Sequence, residues 1–256
     1  MPPDAVVPFP PDAFSRVLSV VAHPDDVEYG TSAAVAAWTA AGIEVGYLLL
    51  TRGEAGMDAS PPAATAELRT AEQIAASHAV GVSQVEFLSY PDGVLEYSLK
   101  MRRDIARAIR RFRPDAVVTG SWEVEFIAGL NMADHRVAGL ATIDAVRDAG
   151  NRWVFPELLD EGLEPCSVRW LLVSGDSRAT HGVDVTGEPL ERGIASLEAH
   201  REYLAGLPGH PLPRAMISGI TAYNGRALGV PNAVLFRAWD FKSPPPIVRE
   251  IMGMAE

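Results

Sequence analysis

The 256-residue chain is 48% hydrophobic and 21% charged, the balance of a globular protein long enough to bury a sizeable core, and it gives no sign of a second domain. Its formal net charge of −11 argues against a nucleic-acid backbone as partner, and its single cysteine, Cys166, excludes an intrachain disulfide. Pro2, Pro3 and Asp4 stand where a signal peptide would be basic and then apolar, and no apolar run approaches the roughly 18 residues of a membrane span, so the expectation is a cytoplasmic protein without a membrane segment.

Residues 1–15 are Pro-rich and read as an extended arm. Residues 16–22 are short, β-branched and ended by Pro24, the pattern of a buried strand that delivers Ala22-His23-Pro24-Asp25-Asp26-Val27-Glu28-Tyr29-Gly30 to its C-terminal edge. In open α/β sheets that edge is where ligands bind. An imidazole and three carboxylates within six residues are costly beside a core unless a cation pairs with them. A divalent metal is one explanation; helix capping by Asp25 or Asp26, with Glu28 in the first turn, is the other, and it leaves His23 unexplained.

A small-residue helix over 31–41 follows, stopped by Gly42, then a strand over 44–51 and a long loop through Pro61 and Pro62. Thr65 is expected to cap a helix running to Val80, with Leu68, Ile74 and Ala75 on its apolar face. Residues 84–88 form the next strand, Tyr90-Pro91-Asp92-Gly93 a turn, 98–112 a helix stopped by Pro114, and 116–119 a strand. Arg102, Arg103, Arg107, Arg110, Arg111 and Arg113 read as a solvated helix face. The alternation predicts a Rossmann-like, mostly parallel sheet flanked by helices, in one α/β domain spanning 1–256. The first turn lacks GxGxxG, which removes the main support for a dinucleotide.

The stretch 120–130 is neither a clean strand nor a clean helix; Asp134 then begins a helix through about Asp148. A strand over 170–174, a short edge strand with Val183 and Val185, and a helix over 189–205 carrying His200 come next. Residues 217–223 and 233–239 read as strands completing a lid or edge, and 243–256 as a tail.

Catalytic zinc usually takes three protein ligands and keeps a position for water. His23 and Asp26 supply two from one loop, and His135, at the start of a helix after another strand, is the best third; the alternative for His135 alone is a solvated first-turn residue. His78, His181 and His210 read as surface or supporting residues.

Ala-His-Pro-Asp-Asp-x-Glu-x-Gly after a hydrophobic strand resembles the signature of the zinc-dependent N-deacetylases of the GlcNAc-phosphatidylinositol de-N-acetylase, LmbE-like type. Thr51-Arg52-Gly53-Glu54, Arg69 with Glu72, Asp92, the Asp134-His135 pair, Val183-Asp184-Val185-Thr186 and Ala199-His200-Arg201 extend the likeness over most of the chain. The resemblance implies metal ligands His23, Asp26 and His135, with Zn²⁺ or alternatively Fe²⁺ as cofactor. It implies Asp25 as general base, Asp134 and His200 as further catalytic groups, and Glu54, Arg69 and Asp92 as substrate-binding residues; Asn131, with Glu123 and Glu125 in the stretch before the Asp134-His135 pair, is a further substrate-binding candidate in a pocket peculiar to this subgroup. The substrate it implies is an N-acyl, most simply N-acetyl, amino-sugar conjugate of the N-acetylglucosamine type. Alternatives are an amidase acting on another N-acyl metabolite or thiol conjugate, and a non-catalytic metal-containing sugar-binding protein; homo-oligomer formation stays open. Met132 stands where the family often has a His that serves the oxyanion, and Glu202-Tyr203 replace its usual Ser-Gln.

Overall fold

The computed structural model describes residues 6–126, 128–243, 248 and 251–253. The first half contains β1 (Val7–Pro8), β2 (Arg16–Val21), α1 (Asp26–Gly30), α2 (Ser32–Ala40), β3 (Glu44–Leu49), α3 (Pro62–Ala79), β4 (Gln84–Phe87), α4 (Leu99–Phe112) and β5 (Ala116–Gly120). The second half contains β6 (Glu125–Phe126), β7 (Gly129–Leu130), α5 (Ala133–Ala149), α6 (Glu157–Asp160), β8 (Trp170–Ser174), β9 (His181–Asp184), α7 (Glu188–Glu198), α8 (Arg201–Ala205), α9 (Pro213–Leu228) and β10 (Ala233–Asp240).

Eight strands form one sheet in the order β1-β9-β10-β8-β5-β2-β3-β4, and β6 pairs with β7 as a separate hairpin. The run β8-β5-β2-β3-β4 is parallel, and β10 is antiparallel to both its neighbours. Side chains alternate across β2: Val17 and Val21 enter a core with α2 on one face, Leu18 and Val20 a core with α4 and α5 on the other. A strand buried on both faces reads as a continuous apolar run, which is why 16–22 was recognisable.

α2 lies against α7 with almost no spacing, because Gly193 faces Ala33: a Cβ at position 193 would sit 2.8 Å from the Ala33 backbone. Gly193→Ala is expected to lower stability by about 1–3 kcal/mol, the usual cost of overpacking, read as a fall in Tm on thermal unfolding. An unchanged Tm would show that the two helices can part freely.

The structure departs from the sequence-based expectations at several places. Residues 217–223 are helical, within α9; its buried residues Ile217, Thr221 and Gly225 recur every fourth position, Pro213 opens the helix and Gly229, at φ 75°, closes it. Three β-branched residues suggest a strand locally, but one buried stripe is a helical solution. β9 is interior, between β1 and β10, and the edges are β1 and β4. β10 likewise runs inside the sheet. The helix expected over 189–205 is two helices with His200 at the joint, at φ −80° and ψ 54°. α3 starts at Pro62 rather than at a Thr65 cap, since a proline needs no N–H partner in the first turn; Thr65 is buried inside it. Of the arginines on α4, Arg110 is not solvated: it is 2% exposed, and its guanidinium donates to the carbonyls of Asp148 and Ala149 at the end of α5 and of Asn151, Val154 and Leu163 beyond it. The arm is described from residue 6, where Val7 and Pro8 join the sheet; residues 1–5 and Pro244–Pro246 lie outside the described residues. Among the described residues no helix is long and apolar enough to cross a membrane.

Candidate metal centre

β2 ends at Val21, in the middle of the sheet, and the chain turns through His23 and Pro24 into α1. The turn requires Asp25 at φ 88° and ψ −21°, a left-handed conformation that costs a non-glycine residue on the order of 1 kcal/mol or more. The side chain of Asp25 makes no capping bond to α1, which disposes of the capping explanation for this carboxylate. Instead Asp25 Oδ2 lies 2.9 Å from Arg69 Nη2, which also donates to Pro24 O at 2.5 Å. Arg69 in turn stacks over the Tyr203 ring at 3.8 Å. Gly53, at φ 65°, and Gly56 leave room for the guanidinium that any Cβ would fill.

Beside Asp25 the donor atoms of His23, Asp26 and His135 lie within 4.8 Å of one another. Asp26 Oδ1 is 3.0 Å from His135 Nε2 and 3.7 Å from His23 Nδ1. Each imidazole is held from behind. His23 Nε2 faces Asp92 Oδ1 at 3.0 Å and Asp134 Oδ2 at 3.3 Å, and His135 Nδ1 faces Asn131 Oδ1 at 3.2 Å. A hydrogen bond at one ring nitrogen fixes the tautomer that turns a lone pair outward at the other, the usual support behind a metal-bound histidine. His23, Asp92 and Asp134 also form a compact group, but Asp134 is already committed: its oxygens accept from the backbone N–H of Gly93 at 2.7 Å and Leu95 at 3.1 Å.

Electrostatics point the same way. Burial by itself lowers the pKa of His23, yet the carboxylates of Asp26 and Asp92 overcome it and push it up to about 11. Burial similarly lowers His135 and Asp26 outweighs it, raising the pKa. Burial opposes ionisation of Asp26, but the two imidazoles hold its carboxyl well below the usual carboxylate range. Burial raises Asp25 to about 6, against the pull of Arg69. Among the described residues, of Asp25, Asp26, Asp92 and Asp134 only Asp25 has a salt bridge to an arginine, Arg69, and without a further cation the imidazoles are driven to take up protons. The donor set, two neutral imidazoles and a carboxylate oxygen, fits a divalent cation that would supply the missing charge.

Every residue expected at the site lies in or near this cluster, but several face inward. Asp92 supports His23 and accepts from Ala55 N–H at 2.8 Å, so it is turned away from a sugar hydroxyl. Glu54 accepts from the N–H groups of Arg52 and Asp92, tying two loops together. Arg69 is 2% exposed and clamps Asp25, and Asn131 donates to Ser121 O and Glu123 O while it orients His135. Asp134 supports His23 rather than its neighbour His135. His200 has no accessible surface, and its Nε2 stands 3.7 Å from Glu28 Oε2, with no hydrogen-bond partner for either ring nitrogen. A side chain so enclosed cannot touch a substrate. Met132, by contrast, is 58% exposed just ahead of α5. Two residues next to Asp25 were missed: Tyr203, whose pKa is raised by burial and by Asp25, and Gln73, which accepts the Asp25 N–H at 2.9 Å. Gln73 sits at i+4 from Arg69, so the helical spacing carried a signal for it.

The family described as PIG-L, GlcNAc-PI de-N-acetylase, matches residues 18–146. The chain belongs to this family. The matched segment contains all three clustered ligand candidates, and the metal dependence of these deacetylases agrees with the donor set assembled here. Diacetylchitobiose deacetylase of Thermococcus kodakarensis is 28% identical over 187 residues, covering 72% of this chain and 68% of that protein. The 1D-myo-inositol 2-acetamido-2-deoxy-alpha-D-glucopyranoside deacetylase of Kineococcus radiotolerans is 46% identical over 84 residues, 30% of this chain and 23% of that protein. The solved N,N'-diacetylchitobiose deacetylase from Pyrococcus horikoshii superposes with a TM-score of 0.80 over 93% of this chain and 89% of its own, at 23% identity, which bears on the fold alone.

Proposed function

We propose that this de-N-acetylase family member is a zinc-dependent hydrolase that removes the acetyl group of an N-acetylglucosamine-type conjugate, with His23, Asp26 and His135 as metal ligands. The observation that carries the reading is the Asp25 carboxylate, fixed by Arg69 beside three convergent ligands and not itself one of them. Zinc bound there would polarise the amide carbonyl and lower the pKa of its water toward about 7. Asp25 takes the proton of the attacking water and later returns it to the amide nitrogen as the C–N bond breaks, giving acetate and a free amine. Arg69 holds that carboxylate in one orientation, Asp92 and Asp134 hold His23, and Asn131 holds His135. With Met132 in place of the family His and His200 enclosed, neither position offers the developing oxyanion a donor. A cytoplasmic setting belongs to the same proposal, supported by the lone Cys166, which needs no oxidising compartment.

The test is acetate release from N,N'-diacetylchitobiose by the purified, zinc-loaded protein. Metal-dependent turnover is expected. Saturable binding of the sugar without acetate would make the chain a binding protein instead.

A further inference from the structure

The strained backbone of Asp25 rests on a buried polar network with no other evident task. Its N–H donates to Gln73 Oε1 at 2.9 Å. That bond needs the Gln73 amide one way round, and the opposite end of the amide decides which: Nε2 donates to Glu28 Oε1 at 3.1 Å and lies 3.3 Å from Ser77 Oγ. Turned over, the amide would set its NH₂ against the Asp25 N–H and its oxygen against the Glu28 carboxyl. Glu28 is itself fixed by Ser196 Oγ at 3.2 Å from the same oxygen. Gln73 and Glu28 are each 1% exposed, and Ser77 and Ser196 not at all, so three helices, α1, α3 and α7, place polar groups where apolar ones would pack at less cost. Both amide atoms of Gln73 are satisfied, whereas Glu28 Oε2 has no hydrogen-bond partner among the described residues and faces His200; a satisfied buried amide specifies one conformation. Here the conformation specified is a left-handed residue that an L-amino acid avoids.

We propose that Gln73 is the positioning residue of Asp25, and that Glu28 acts through it by locking the orientation of the amide. The inference rests on the reading of Asp25 as general base, and it adds that the carboxylate's aim is set from its backbone as well as from Arg69.

Gln73→Met keeps the length and removes the amide's hydrogen bonds to Asp25, Glu28 and Ser77. It is expected to leave metal content and KM unchanged and to lower kcat about 10- to 100-fold, the size of effect a misplacement near 1 Å produces. Glu28→Leu is expected to do the same, whereas Glu28→Gln, whose side-chain carbonyl still accepts from Gln73, is expected to retain kcat within about threefold. In the metal-free protein, deuterium exchange at the Asp25 amide is expected to quicken in Gln73→Met and Glu28→Leu but not in Glu28→Gln. Should Gln73→Met fail to fold, Gln73→Asn, which withdraws the amide by one methylene, is measured in the same way. A fall in Tm with kcat and Asp25 exchange unchanged would reduce the network to packing and overturn the proposal; so would loss of metal in step with kcat, which would make the ligands its target. Absence of turnover in the wild-type protein would instead sink the catalytic reading, and the exchange measurement would still decide the role of Gln73.

Discussion

His135→Ala is expected to lose its metal, from about one ion per chain to a small fraction of one, and with it all measurable turnover. His135 Nε2 is 3.0 Å from Asp26 Oδ1, and its ring is held from the other side by Asn131 Oδ1 at 3.2 Å. The side chain is 27% exposed at the start of α5, so its removal leaves the core intact and Tm near the wild-type value. Asn131→Ala should be milder, since groups that orient a ligand typically contribute about 10- to 100-fold in metal affinity. Elemental analysis after dialysis reads both. Full occupancy in His135→Ala would remove that residue from the ligand set and leave His23, Asp92 and Asp134 as the group to test.

Replacing Asp25 by Asn is expected to keep the metal and lower kcat by about 10²- to 10⁴-fold, the usual worth of a general base. The amide has the size of the carboxyl but cannot accept the proton. Burial raises the pKa of Asp25 to about 6 in the metal-free chain, against the lowering by Arg69. A base acts only when ionised, so activity should fall as the pH drops through that value; the positive charge of a bound metal moves the acidic limb lower still. In Asp25→Asn that limb should vanish from the pH profile of kcat. Near-normal kcat, or an acidic limb that survives the substitution, would pass the proton transfer to another group. Arg69→Met offers a contrast: it withdraws the cation that favours the ionised form, so the acidic limb should shift upward while kcat on the plateau falls less.

Much of this architecture could be read along the chain. Buried parallel strands are continuous apolar runs, so 16–22, 44–51 and 170–174 were recognisable, and β2 led directly to the His23–Asp26 turn. Where the signal was weaker, packing decided. Ile217 and Thr221 sit four apart as one buried stripe of α9, a fact that depends on what lies beneath them and not on the residues' own preference for strands. Arg110 looks like its charged neighbours on α4 until the end of α5 and the chain after it present it with five carbonyls.

By itself the sequence determined which kinds of atom arrive at the sheet edge: two imidazoles and several carboxylates, on loops that strand periodicity places there. Only the tertiary structure decided what each of them faces. Asp92, Asp134 and Asn131 support the histidines from behind, Arg69 and Gln73 hold Asp25, and His200 is enclosed with Glu28. Composition and spacing are properties of a segment, whereas a side chain's role as ligand, base or support depends on which partner from a distant segment fills its remaining hydrogen-bond position. Gln73 lies 48 residues from Asp25 and Asp134 lies 111 residues from His23, and no local pattern encodes a distance of that kind.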